Sequence, residues 1–327
     1  MKTCRTPLAL GISMMAASLT YGWAAHAAEF PSEPIRIVVP YTAGATNDAV
    51  PRIIGPKLSE ILGQPVLVEN RPGAGGDIGV NHVIASKPDG HTLLMTSNAL
   101  ITREVTSAKP AYRVENDLRP IMLVGDQPMV LVVARNFKAD NVKDLLTVAR
   151  TSSPSLSYAT PGAGTPHQLA AELMAAQGGI DLLHIPYKGT AASLVDTAAE
   201  RVTMTWATPA SARALLEGNK IKAVGVTASE RLASMPNVPT FTESNLKGLE
   251  SGFWYGFTAP KQTPDAVIAK LHGAFKQALA DPEVTKQILD LGITIKPLSP
   301  EEFQKLIDTD HAQWQQVAKS ANISVEP

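Results

Sequence analysis

The chain reads as an α/β protein of two similar halves joined by two strands, with a cleft between them, and three observations predict it. The first is a strand–loop–helix unit, Pro34-Ile-Arg-Ile-Val-Val-Pro-Tyr-Thr-Ala-Gly-Ala-Thr-Asn-Asp48. Its β-branched run (Ile35, Ile37, Val38, Val39) suits a strand buried on both faces, which Pro40 stops. The second is a similar unit about 120 residues on, Leu156-Ser-Tyr-Ala-Thr-Pro-Gly-Ala-Gly-Thr-Pro-His167. The third is a pair of long apolar runs, 129–134 and 253–259, placed to carry the chain from one half to the other and back. A cleft between two such halves closes on a ligand.

Elements follow in order. Ile53, Ile54, Leu58, Ile61 and Leu62 have helical spacing over 49–62, and Gly63 is a natural residue to end that helix. Pro51 is tolerable in a first turn, whereas Pro56 predicts a kink near Gly55. Strands are expected at 66–69 and 92–96, with a helix over 76–86 between them. That βαβαβ order predicts a parallel sheet with ligand loops at the strands' C-terminal ends. The second half is expected to run strand 129–134, helix 142–151, strand 156–159, helix 166–176, strand 182–186, helix 191–199, then strands 202–206 and 221–227. After strand 253–259 the tail is helical. Thr263-Pro264-Asp265, Asp281-Pro282-Glu283 and Ser299-Pro300-Glu301-Glu302 each set a capping side chain before a proline, the last forming a capping box.

The N-terminus predicts export. Lys2 and Arg5 precede an apolar run through residue 24, and Ala25-His26-Ala27 fits a cleavage site, so residues 1–27 are assigned as a signal peptide and the mature protein to the periplasm. The only cysteine, Cys4, would leave with it, so no disulfide or cysteine–metal site is expected. Removing Lys2 and Arg5 from the 29 basic residues leaves 27 against 30 acidic ones, a formal charge near −3. That balance excludes a nucleic-acid footprint. No histidine pair has metal-ligand spacing, and there is no G-x-S-x-G elbow, so neither metal, cofactor nor catalysis is expected.

Each glycine loop presents backbone N–H groups at a helix N-terminus, where an anion binds. The candidate ligand residues of the first loop are Tyr41, Thr42, Ala43, Gly44, Asn47 and Asp48, with Ser97 and Asn98 at the same sheet edge. Tyr41 follows the strand's proline and is placed to wall the ligand. Asp48 is expected to cap N–H groups and fix its loop. The second loop contributes Thr160, Gly162, Ala163, Gly164, Thr165 and His167. His167 either donates to a carboxylate or packs the turn. Tyr187 and Lys188 offer a hydroxyl and a cation after a strand, or else a packed ring and a solvated charge. Gly73, Gly75 and Gly79 superficially suggest a dinucleotide loop, but their spacing is G-x-G-x-x-x-G and the block is read as a structural turn.

Several stretches together resemble the Bug family, the TctC-like receptors of tripartite tricarboxylate transporters. They are Val38-Val-Pro-Tyr41 with its glycine loop, Leu62-Gly-Gln-Pro-Val66, Val68-Glu-Asn-Arg-Pro-Gly-Ala-Gly-Gly-Asp-Ile-Gly79, Pro88-Asp-Gly-His-Thr-Leu93, Pro166-His-Gln-Leu169 and Pro186-Tyr-Lys-Gly189. The resemblance implies a type II periplasmic-binding-protein fold, with one domain from 28–130 plus 255–327 and a second from 131–254. It implies a small-carboxylate ligand, delivery to a membrane permease, and loops that hold the acid largely through N–H groups and water. A monomer is the expected state, and signalling to a membrane partner or enzymatic action are the alternative roles. The first loop departs from the usual Pro-Phe-Pro-Pro-Gly-Gly. Thr203 and Ala207 stand where family members often carry acids, with Ala207 expected near the rim of the second domain.

Overall fold

A computed structural model describes residues 30–250 and 252–324; the assigned signal peptide and Cys4 lie outside the described residues. The first sheet uses strands β1 (Ile35–Val39), β2 (Val66–Asn70), β3 (Thr92–Ser97), β4 (Leu118–Gln127), β10 (Phe253–Pro260) and β11 (Thr294–Leu298). The second uses β5 (Val130–Ala134), β6 (Leu156–Thr160), β7 (Leu182–Pro186), β8 (Met204–Ala207) and β9 (Ile221–Val226). The spatial orders are β11-β4-β10-β3-β1-β2 and β7-β6-β8-β5-β9. Strand β1 pairs in parallel with β2 and β3, and β6 with β7 and β8. Each sheet therefore contains one parallel unit whose loops gather at a single edge.

The helices are α1 (Thr46–Leu62), α2 (Asp77–Ile84), α3 (Asn98–Thr106), α4 (Val114–Asp117), α5 (Val142–Thr151), α6 (Pro166–Gly178), α7 (Thr190–Ala198), α8 (Pro209–Glu217), α9 (Asp265–Leu279), α10 (Pro282–Asp290) and α11 (Pro300–Ser320). Both faces of the first sheet are covered. Ile35, Ile37 and Val39 meet Ile54, Leu271 and Phe275 on one side, while Val38 and Trp254 meet Leu100, Phe303 and Ile307 on the other. That explains why β1 is apolar at every position but the exposed Arg36. Leu169 of α6 belongs to this second cluster, so a helix of the second half packs onto the core of the first.

Most expected elements are present, with specific differences. Helix α1 is continuous through Pro51 and Pro56 and closes at Gly63 (φ 68°), whose N–H donates to Ser59 O. Asp281 caps α10, and Ser299 with Glu302 forms the capping box of α11. Thr263 does not cap α9: Pro264 holds the cap position and the Thr263 hydroxyl donates to Pro260 O (2.8 Å). Strand β8 starts at Met204, not residue 202. Strands β4 and β11 and helices α3, α4 and α8 are additional to the expected set.

The chain crosses between sheets at Gln127–Val130 and again just before Phe253. These crossings lie backbone to backbone, since a Cβ on Gly252 would sit 2.2 Å from Gln127 O. Met129 N–H donates to the Thr227 hydroxyl (2.7 Å), and Thr227 N–H donates to Met129 O (2.8 Å). The Tyr255 hydroxyl donates to Gln127 Oε1 (2.9 Å), tying the crossing to β10.

Candidate functional site

The first loop joins β1 to α1. Its Gly44 has φ 95°, a backbone conformation that side chains resist. Asp48, buried in the first turn of α1, holds the loop as expected. Its Oδ2 accepts from Gly44 N–H (3.0 Å), and its Oδ1 from Arg52 Nε (2.9 Å) and Asn70 Nδ2 (2.8 Å). Asn70 Nδ2 also donates to Tyr41 O (3.1 Å). Arg52, with help from the Gly44 N–H and Asn70, holds the Asp48 carboxyl down at about 2. A depressed carboxyl contributes stability that is complete above the usual carboxylate range and lost as pH falls through about 2. Asp48→Ala should therefore cost about 2 kcal/mol near neutrality, the difference shrinking between pH 4 and 2 in urea titrations. An unchanged midpoint at pH 7 would refute the bracing role.

The second loop, between β6 and α6, repeats the device. Gly164 N–H donates to Gln168 Oε1 (2.8 Å), so glycine and side-chain acceptor are again four residues apart. Gln168 was absent from the expected site; aligning the two loops places it opposite Asp48, with a neutral amide in place of the charge. Thr160 is a loop former. Its hydroxyl donates to Gly162 O (2.9 Å), receives Gly162 N–H (3.2 Å) and lies 2.7 Å from His184 Nε2. The Thr165 hydroxyl also donates to Gly162 O (2.8 Å). Thr42, Ala43, Gly44 and Ala163 are exposed on the two loops, while Gly162 is half-buried and has φ 150°.

Where the two halves meet, five buried polar atoms have no protein partner: Tyr41 Oη, Asn47 Oδ1, Ser97 Oγ, Asn98 Oδ1 and His167 Nδ1. All belong to the expected ligand residues. Adjacent strands bring three of them to one edge, since β1 leads to Tyr41 and β3 leads to Ser97 and Asn98, while Asn47 lies in the first turn of α1 and His167 in the first turn of α6. Asn98 Nδ2 donates to Gly252 O at the crossing (2.9 Å), and the next residue, Phe253, meets the His167 ring edge-on at 5.1 Å. Burial pushes His167 down to about 4, so its ring is neutral at pH 7, and burial raises the Tyr41 phenol. Buried polar groups are nearly always bonded, so a cluster of unpaired ones marks where a ligand or water belongs.

Other expected residues fall elsewhere. The Tyr187 hydroxyl is engaged by Asp196 Oδ2 (2.8 Å), and Lys188 is exposed. Ala207 is not a rim residue: it is wholly buried among Val130, Leu194, Ala212 and Val226, because all four residues of β8 are covered. The arginines nearest the first loop are paired, Arg52 with Asp48, Arg71 with Glu69 and Arg103 with Asp77. Among the described residues, the two acid–histidine groupings close enough for a metal, Glu33–Asp89–His91 and Glu104–Glu115–His311, use none of these site residues. The site is thus neutral and rich in hydrogen-bonding groups.

Comparison with known proteins agrees with this architecture. The family model of the tripartite tricarboxylate transporter family receptor, TctC, matches residues 50–323. A UPF0065 protein from the tcbD–tcbE intergenic region of Pseudomonas sp. is 37% identical over 88% of this chain and 86% of its own length. The structure of the periplasmic binding protein BugD is 32% identical, with a TM-score of 0.74 over 91% of this chain and 100% of that one. An R. palustris protein solved with adipate is 28% identical, with a TM-score of 0.76 over 91% and 100%. With its two α/β sheets and these matches, the chain belongs to the TctC-like Bug family of periplasmic solute-binding receptors.

Proposed function

We propose that this protein captures a small carboxylate between its two glycine loops and delivers it to the membrane permease of a tripartite tricarboxylate transporter. The observation that carries the reading is the unpaired set at Tyr41, Asn47, Ser97, Asn98 and His167, which is neutral, buried and able to hydrogen-bond a small polar solute. The adipate bound by a structural neighbour supports a carboxylate. N–H groups, hydroxyls and water hold the acid without an arginine clamp, since hydrogen bonds to a charged group contribute about 1.5–3 kcal/mol each. The protein acts as a periplasmic monomer after removal of residues 1–27, needs no cofactor and performs no chemistry on its ligand. Residues 28–130 with 255–327, and residues 131–254, are the two bodies that close.

Mass spectrometry of small molecules released on denaturing the purified protein should recover a carboxylate. That acid, added at 100 times its Kd, should raise stability by about 2.7 kcal/mol, and X-ray scattering should show compaction. Release of only non-acidic solutes would refute the reading. Deleting the gene from the native host should abolish uptake of the same acid.

A further inference from the structure

A hydrogen bond to the crossing fixes the amide orientation of Asn98. Its Nδ2 donates to Gly252 O at 2.9 Å, an acceptor that only the NH2 end of the amide can satisfy. The other end of the amide is therefore the carbonyl oxygen. Asn98 is 2% exposed and its Oδ1 has no partner. A carboxamide oxygen only accepts, and so does an ionised carboxylate. A bare carboxylate placed against Oδ1 would set acceptor against acceptor.

Resting on the carboxylate reading above, we infer that the ligand is a hydroxycarboxylate whose hydroxyl donates to Asn98 Oδ1. The donor is uncharged because the carboxylates nearest the first loop are already neutralised. Asp48 accepts from Arg52, Asn70 and Gly44, Asp77 pairs with Arg103, and Glu69 with Arg71. An ammonium at this depth would find no free protein carboxylate among these to pair with. The hydroxyl lies close to the acid group. Asn98 follows β3, the direct neighbour of β1, and neighbouring strands are about 4.8 Å apart. A carboxylate on the first loop thus lies at the same sheet edge as Asn98.

Calorimetry on matched acids tests this: succinate against malate, glutarate against 2-hydroxyglutarate, and phenylacetate against mandelate, with aspartate and glutamate as the amino counterparts. For whichever skeleton binds, the hydroxylated member should bind at least about tenfold tighter than the deoxy member, because the latter leaves a buried acceptor unpaired. The amino member should be weaker than the hydroxylated one. Asn98→Leu should collapse the hydroxyl preference to within about twofold, any effect of losing the Gly252 contact cancelling in the ratio. Asn98→Asp supplies the missing counter-charge and should shift the preference towards the amino member; it keeps the test open if the leucine variant does not fold. Equal affinity for deoxy and hydroxylated members would overturn the inference while leaving the carboxylate reading intact, a bridging water then serving Oδ1. A preference that survives Asn98→Leu, or an amino acid that binds tighter than its hydroxy counterpart, would also overturn it. Failure of every acid to bind would instead sink the carboxylate reading, and the inference with it.

Discussion

Gly44→Val and Gly162→Val should each weaken binding of the recovered carboxylate by about a hundredfold or more, whereas Lys188→Ala should change it by less than about threefold. Gly44 has φ 95° and Gly162 φ 150°, which a β-branched residue avoids. The side chain would force the loop to rotate and carry its N–H donors away from the acid. Protein contacts do not complicate the test: a Cβ at Gly44 meets nothing within 4 Å, and one at Gly162 meets only Thr165 Cγ2 at 3.9 Å. Losing two hydrogen bonds to a charged group removes about 3–6 kcal/mol, and tenfold in affinity is about 1.4 kcal/mol. Lys188 is exposed, so its charge is screened by solvent. Calorimetry decides the matter, with circular dichroism to verify folding. Loss confined to Lys188→Ala would mean that a cation, not the loops, anchors the ligand.

The parts of this site that were legible in the sequence are those set by local chemistry. A β-branched strand, a stopping proline, a glycine loop and a helix start gave Tyr41, Gly44 and Asp48 their places. The same logic placed Gly162, Gly164 and His167, and Ser97 and Asn98 followed from ending a strand at the same edge. The capping signals at Asp281 and Ser299 were equally local. What was hidden depends on tertiary contact. Strand β4 contains Pro120 and pairs through register shifts, so it lacks a clean alternation, and β11 tolerates Pro297 because it lies at the sheet edge. Helix α3 begins without any turn residue, directly from β3. His184 reaches Thr160 from 24 residues away, and Tyr187 is taken by Asp196 from the following helix. Ala207 reads as a rim position because nothing in its own neighbourhood shows that β8 is covered on both faces. The Asn98–Gly252 contact joins positions 154 residues apart, and it is the contact that fixes what Asn98 can recognise.

Asp310→Asn should stabilise the protein by about 3 kcal/mol at pH 8 and have little effect near pH 4. Asp310 lies on α11 with its Oδ2 accepting from Trp254 Nε1 at 2.6 Å, deep in the cluster that covers the first sheet. Burial pushes its carboxyl up from 3.8 to about 6, against the opposing pull of the Trp254 and Trp314 indoles, and no cation offsets the burial. The sign follows from linkage. A folded-state value above the unfolded one means that the native protein holds the proton more tightly. Its stabilising contribution is complete below about 3.8 and disappears as pH rises through about 6. Above that pH the fold carries a buried, uncompensated charge, and a rise from 3.8 to about 6 corresponds to about 3 kcal/mol. The amide of the variant keeps an oxygen for Trp254 and never ionises, so the penalty is removed. Urea titrations followed by tryptophan fluorescence from pH 4 to 8 should show the wild type losing stability relative to the variant across that range. A variant less stable than the wild type at pH 8 would show that the carboxylate's bond to Trp254 outweighs the cost of burying its charge.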